Sequence, residues 1–286
     1  MCWHSLASVW NIVWCLVLSK HMDISLPDLG LTPYAGDKGD PARNTSDPRR
    51  FWLRRMANVL LIVAGTHIVT PLLYWICGMV SGLLPGDYTG YSVPYVVTYY
   101  IMQQICFAVN GFDEELAWRG FMKAVWDKYP CDPDMGQSQR DIDTNPVSTD
   151  LYILTGWNYA MLHSLNVPIE GDVPGFCMMI FNLCCEGAIW MHLFRLSRDL
   201  LQNILLHDTD DLFSIWFGSQ TLAGYSIPLI IVGWIVDPSK SFLSGGDFGT
   251  GASPLYIGQN LYTLGVITWL YRRREATHLE SKRLIV

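Results

Sequence analysis

Long runs without a single charged side chain dominate this sequence. Met56–Gly86 holds no Asp, Glu, Lys or Arg, and neither do Tyr88–Phe112, Leu151–Ile169 or Leu212–Val236. Val173–Leu193 is interrupted only by Glu186. Leu255–Tyr271 is shorter but strongly apolar, and Trp3–Leu18 is a seventh, shorter candidate. About 20 apolar residues suffice for a helix to cross a bilayer. Half the chain is hydrophobic, only 16% is charged, and the mean hydropathy is +0.21, which is too apolar for an ordinary soluble domain. Twelve Trp and fourteen Tyr suit a protein with aromatic residues at membrane interfaces. The competing reading is a soluble helical protein with unusually long buried helices. No sequence built for strands is apparent. The expected fold is all-α, a polytopic membrane bundle of about seven to eight transmembrane helices enclosing an intramembrane site.

Charge and cysteine usage exclude several classes. A net charge of −7, with no basic tract interleaved with aromatics, argues against nucleic acid as a partner. The eight Cys include no CxxC pair and no spacing typical of a zinc site or a disulfide framework, so they read as small buried hydrophobes. Met1–Leu18 lacks a basic start and a small-residue cleavage site, and reads as a first span or signal anchor. Asn44-Thr45-Ser46 is a glycosylation sequon by pattern, in a loop that the charges place on the cytoplasmic side.

Positive residues near span ends favour the cytoplasm. Arg49, Arg50, Arg54 and Arg55 precede the span starting at Met56, and Lys123, Lys128 and Arg140 lie in the loop Met122–Asp150. Asp87, Glu170 and Asp172 mark turns on the far side, and Arg195 and Arg198 bring the chain back. From there two counts compete. One helix over Asp199–Ser219 and another over Leu222–Val236 make eight spans, but put Arg272-Arg273-Arg274 on the wrong side. A shallow Leu200–Asp211 with a single span over Leu212–Val236 makes seven and leaves that tail cytoplasmic. Residues 1–55 are then an N-terminal span and polar loop, 56–271 the membrane-embedded core, and 272–286 a basic tail. Gly245–Gly251 lacks the Lys of a phosphate-binding loop and reads as a connector.

Three short stretches place ionisable groups in or beside these apolar segments, where charge costs about 2.5–3.5 kcal/mol per residue even on lenient scales. In the helix expected over Gly111–Met122, Glu115 and Arg119 are four apart and share a face, so they can pair. Glu114 is rotated by about 100° and is left to point elsewhere. A partly desolvated carboxylate suits a general base; a salt-bridged helix end is the structural alternative. Tyr159 and His163 are also four apart, stacking an aromatic ring beside an imidazole in Leu151–Ile169. A lone His in an apolar helix is more often a hydrogen-bonded core residue. His207 and Asp211 repeat the spacing, so that Asp211 can orient the ring, and Asp208, Asp210 and Asp211 together make an acidic point that reads alternatively as a solvated helix end. His67 and His192 have no acid in helical register. Glu186 is a lone acid with Arg195 or another helix as its expected partner.

In order, Glu-Glu-x-x-x-Arg, aromatic-x-x-x-His and His-x-x-x-Asp on three apolar helices resemble the CPBP family of intramembrane proteases, which includes the type II CAAX prenyl endopeptidases and bacteriocin-processing relatives. The resemblance covers roughly Ile101 to Phe213, and Trp190–Asp211, with Asn203-Ile204-Leu205-Leu206-His207, looks like the family's third motif region. It implies Glu114 as catalytic glutamate with Glu115 and Arg119 as its motif partners, His163 as first histidine, His207 as second and Asp211 as the fourth position. It implies glutamate-dependent peptide hydrolysis, in which Glu114 and His163 activate a water and His207, with residue 211, stabilises the oxyanion. Tyr159 stands where Phe is common, a mild departure. Asp211 stands where Asn can donate to an oxyanion; an ionised Asp cannot, and would repel the developing charge. Asp211 is then either protonated or serves to orient a cationic His207, the physically easier role.

The expected function is thus a membrane-embedded endopeptidase at the cytosolic face, needing no cofactor and no metal. Its partners would be the bilayer and a peptide or lipidated protein, a prenylated CAAX-type C-terminus among the candidates. By analogy with the CAAX enzymes the location would be the endoplasmic reticulum membrane in a eukaryote, or the plasma membrane in a bacterium. Two other classes compete. Glu114, His163, His207 and Asp211 are an acceptable ligand set for zinc or another divalent ion, though no HExxH is present. A scaffold that keeps the fold without turnover is the third reading.

Overall fold

Most of the long uncharged runs contain a long helix, and the described chain is mostly helical. The structure is a computed structural model that describes residues 2–31, 48–86, 88–129, 149–164, 173–197, 199–216, 219–221, 232–237, 241–245 and 250–283. Among the described residues there are seven long helices: α1 (Cys2–His21), α2 (Pro48–Ile76), α3 (Val93–Glu115), α5 (Thr149–Ser164), α6 (Val173–Ser197), α7 (Leu200–Trp216) and α9 (Tyr256–Arg283). Two are short, α4 (Met122–Lys128) and α8 (Ser241–Ser244). The sequon at 44–46, Arg140, Glu170, Asp172 and most of the Gly-rich connector fall outside the described residues.

Helix starts follow local chemistry. Ser92 accepts from the Tyr95 amide at 3.4 Å and starts α3, with Pro94 in its first turn, where a missing N–H costs nothing. The Asp199 carboxylate accepts from the Gln202 amide at 3.3 Å and starts α7, while the carbonyl of Gly30 takes the Leu200 amide at 3.0 Å. Gly30 has φ +75, and a Cβ there would lie 2.7 Å from the Phe194 ring, so the turn after α1 requires glycine.

The strands correct the expectation that none exist. β1 (Val80–Pro85), β2 (Ser219–Thr221) and β3 (Val232–Val236) form a sheet of order β1-β3-β2, with β1 antiparallel and β2 parallel to β3. Within the run Met56–Gly86, α2 supplies a helix long and apolar enough to span and ends at Ile76, and β1 takes up the rest. Leu212–Val236 is not a span: α7 ends at Trp216, and β2 and β3 follow. An apolar run of four to eight residues looks the same for a buried strand as for a piece of helix, so composition did not separate them. The last helix passes Arg272–Arg274 without a break.

Contacts fix the direction of each helix. Arg55 near the start of α2 pairs with Asp199 at the start of α7, and His67 further along α2 meets Asp210 further along α7. The last helix runs opposite to α2: Thr70 bonds Gln259, and the Tyr262 hydroxyl reaches the Leu61 carbonyl at 3.3 Å. Tyr152 at the start of α5 meets His192 near the end of α6, so those two are antiparallel. Ser8 bonds Asn110, and Lys128 donates to the Met22 carbonyl at 2.9 Å, so α1 runs alongside α3 in the same direction. The seven long helices therefore alternate in direction, with the sheet at one end. At the other end lie the start of α2, all of α4, the end of α6 and the end of α9.

Helices α5 and α6 approach most closely at glycines. A Cβ at Gly156 would lie 2.4 Å from the Cys184 carbonyl oxygen, and one at Gly187 would lie 2.9 Å from the Gly156 Cα. Small residues at crossings let backbones touch, as in membrane bundles. Two helical segments, Arg55–Ile76 and Val173–Ser197, are long and apolar enough to cross a membrane, and only a third of each apolar window is buried inside the protein. Large apolar side chains stand exposed on most long helices, among them Trp10, Leu60, Trp75, Ile101, Ile153, Trp157 and Leu261. The cysteines are less uniformly buried than expected: Cys106 is buried, but Cys77 and Cys177 are exposed.

Candidate active site

Four helices bring the predicted residues together. Glu114 and Glu115 are the last residues of α3, and the chain then passes into a π-helical segment, Leu116–Phe121, that carries Arg119. Its hallmark is the Met122 amide bonding the Ala117 carbonyl, five residues back. Single π turns inside α-helices often mark functional sites. The 3.6-residue period used to read this stretch could not reveal the extra residue.

Glu115 and Arg119 do pair, at 3.1 Å, and neither side chain is exposed at all. The contact is close but poorly aligned, and none of the guanidinium nitrogens makes a hydrogen bond among the described residues. The guanidinium lies 5.1 Å from the centre of the Tyr159 ring, within cation–π range.

Glu115 also does what was expected of Asp211. Its Oε1 lies 2.9 Å from His207 Nδ1, and Asn203 Nδ2 donates to its Oε2 at 3.2 Å. The carboxylate can only accept in these contacts, so Nδ1 of His207 donates and Nε2 faces away. Asp211 stands near that other nitrogen, 3.8 Å from Nε2, beyond hydrogen-bond range. The hydrogen bond that holds the ring comes from Glu115 on another helix, while Asp211 stands within ion-pair distance of the other nitrogen.

His163 is fixed by its own helix. Its Nδ1 is 2.9 Å from the Tyr159 carbonyl oxygen, which can only accept, so Nδ1 carries hydrogen and Nε2 points outward. The Tyr159 ring packs on it with centroids 4.2 Å apart, as the spacing predicted. Glu114 turns away from Glu115, also as predicted. Its Oε2 is 3.8 Å from His207 Nε2 and 4.0 Å from His163 Nε2, and makes no hydrogen bond among the described residues. An acceptor, two imidazole edges and the Asp211 carboxylate thus face one space. The Glu114, His163 and Asp211 side chains are 28%, 35% and 37% exposed, although Glu114 Oε2 is itself buried; Glu115 is sealed, and His207 is nearly so, with its Nε2 turned toward Glu114.

The acidic point in α7 disperses into three directions instead of forming a solvated helix end. Asp208 accepts from Gln104 on α3 at 2.6 Å, Asp210 meets His67 on α2 at 3.2 Å, and Asp211 faces the site. His67 thus has an acid partner that helical register within one segment could not disclose. Asn203 was overlooked as a site residue, although it lies one turn before His207 on the same stripe. Among the described residues, no group of three or more His, Cys, Asp or Glu could hold a metal ion. No family model, curated protein or solved structure matches the chain.

Proposed function

We propose that this protein is a membrane-embedded endopeptidase of the CPBP kind, hydrolysing peptide bonds with a water activated by Glu114. The observation that carries the reading is the Glu114 carboxylate oxygen, without a hydrogen bond and within 4.0 Å of Nε2 of two histidines from different helices. In the proposed reaction, a water between Glu114 and His163 gives up a proton as its oxygen bonds the scissile carbonyl carbon. The carbonyl oxygen becomes an oxyanion facing His207 Nε2. Collapse of the intermediate breaks the C–N bond, and the proton held at Glu114 passes to the leaving amine.

The membrane setting is part of the proposal. The apolar windows of two helices leave two thirds of their residues uncovered, the reverse of what a soluble core helix does. The seven alternating helices would then be seven crossings, with the basic end in the cytoplasm and the substrate a peptide or lipidated protein. A prenylated CAAX-type C-terminus is the first substrate to try.

Purified protein assayed against a peptide panel including a farnesylated CAAX peptide tests the reading. Cleavage by wild type, lowered about 100- to 10,000-fold in Glu114→Gln and indifferent to chelator, is the expected result. Cleavage that persists in Glu114→Gln removes Glu114 as the base. Loss of activity with chelator, restored by one metal, favours a metallopeptidase instead.

A further inference from the structure

One intramembrane acid has no part in the chemistry above. Glu186 lies on α6 and is gripped from two directions. Trp190 Nε1 donates to its Oε1 at 3.3 Å, and the Tyr256 hydroxyl donates to its Oε2 at 3.4 Å. Trp190 is in turn the wall of His207, with ring centroids 5.4 Å apart and planes tilted by 37°. The backbone carbonyl of Trp190 accepts from Asn203 at 3.0 Å, the same amide group that donates to Glu115. Trp190 is therefore held by its backbone carbonyl and by its indole nitrogen, and the imidazole packs beside the ring.

We infer that Tyr256, Glu186 and Trp190 form a positioning relay that sets the orientation of His207 from the last helix of the chain. The inference rests on the reading of His207 as the group facing the oxyanion. Glu115 fixes one nitrogen of the ring, but a single hydrogen bond leaves the ring free to swing about it. The Trp190 ring removes that freedom and aims Nε2 at Glu114. Glu186 accepts the indole N–H, which would otherwise be buried without a partner, and so selects one indole orientation. Tyr256 belongs to α9, outside the region Ile101–Phe213 that carries the motifs. That helix is itself anchored to α2 through Gln259 and Tyr262. The relay gives α9 a bearing on catalysis that no motif assigns to it.

The test uses full-length protein labelled with 15N-histidine, in detergent, with the His207 imidazole signals assigned by their loss in His207→Gln. Glu186→Leu removes both acceptors. Glu186→Gln keeps an acceptor for Trp190 and a group that can bond Tyr256. Trp190→Phe removes only the donor and part of the ring. The relay predicts shifted or broadened His207 signals in Glu186→Leu and Trp190→Phe, and wild-type signals in Glu186→Gln. With a cleavable substrate in hand, kcat falls about tenfold in the first two with KM unchanged, and stays within about twofold of wild type in Glu186→Gln. Unchanged His207 signals in a well-folded Glu186→Leu protein overturn the relay. The spectra decide this without turnover, so a failure of the peptidase reading is seen separately, as absent cleavage beside intact relay signals.

Discussion

At the scale of single residues, the site divides its two adjacent glutamates by burial. Glu115 is sealed and bears a structural load: it neutralises Arg119, anchors His207 and takes the Asn203 amide. Removing one partner of a buried ion pair leaves the other charge uncompensated, at about 3–5 kcal/mol. Glu115→Ala should therefore lower the thermal unfolding temperature in detergent sharply, while Glu114→Ala, which breaks no hydrogen bond, should leave it nearly unchanged. Equal melting of the two variants would contradict the division. The same geometry bears on Asp211. Since Glu115 already orients His207, Asp211 is not needed for that task, and its charge faces the space where an oxyanion would form. Asp211→Asn exchanges a repelling carboxylate for a donor, so kcat should hold or rise by about tenfold. A fall of that size would mean that the acid itself is required. Spacing alone disclosed the Glu115–Arg119 pair and the divergence of Glu114, because both lie within one helix. It could not disclose the hold of Glu115 on His207, which joins residues 92 apart in sequence.

At the scale of elements, the site depends on one close crossing. Gly156, Tyr159 and His163 lie on one stripe of α5, and Gly156 touches the backbone of α6. A methyl group there cannot be accommodated without moving the helices apart, which typically costs about 1–3 kcal/mol. Because His163 is bonded to its own helix at Tyr159, it moves with α5. Gly156→Ala should therefore lose stability and activity together, and the activity should fall at temperatures where circular dichroism still reports full helix content. An active Gly156→Ala enzyme would show that α5 can shift without disturbing the site. The helices themselves were legible as uncharged runs. Two features were not. The π segment differs from an α-helix only by one extra residue in a turn, which no side-chain pattern announces. The sheet arises from apolar stretches, Val80–Pro85 and Val232–Val236, that are too short to show a period and were absorbed into the neighbouring spans.

At the scale of the whole molecule, the distribution of positive charge follows the alternation of the helices. In sequence, the stretches between α2 and α3, α5 and α6, and α7 and α9 (residues 77–92, 165–172 and 217–255) hold Lys240 and no Arg. The end opposite the sheet gathers Arg54 and Arg55 at the start of α2, Lys123 and Lys128 in α4, Arg195 at the end of α6 and Arg272–Arg274 in α9. Among the described residues, α7 runs toward the sheet, β2 and β3 follow it, and α9 returns; two helical segments, Arg55–Ile76 and Val173–Ser197, are long and apolar enough to cross a membrane. In the proposed membrane setting, the positive-inside rule would turn the basic end toward the cytoplasm. His207 lies seven residues into α7 from that end, about 10 Å at helical rise, so in the proposed membrane setting the site would sit below the cytoplasmic surface and within reach of water from that side. Single-cysteine variants test this arrangement. In sealed vesicles with the cytoplasmic face outward, an impermeant maleimide should label Asp127→Cys in α4 at once and Thr89→Cys, before α3, only after detergent is added. The reverse order would invert the protein in the membrane, and immediate labelling of both would mean that no bilayer separates the two ends of the bundle.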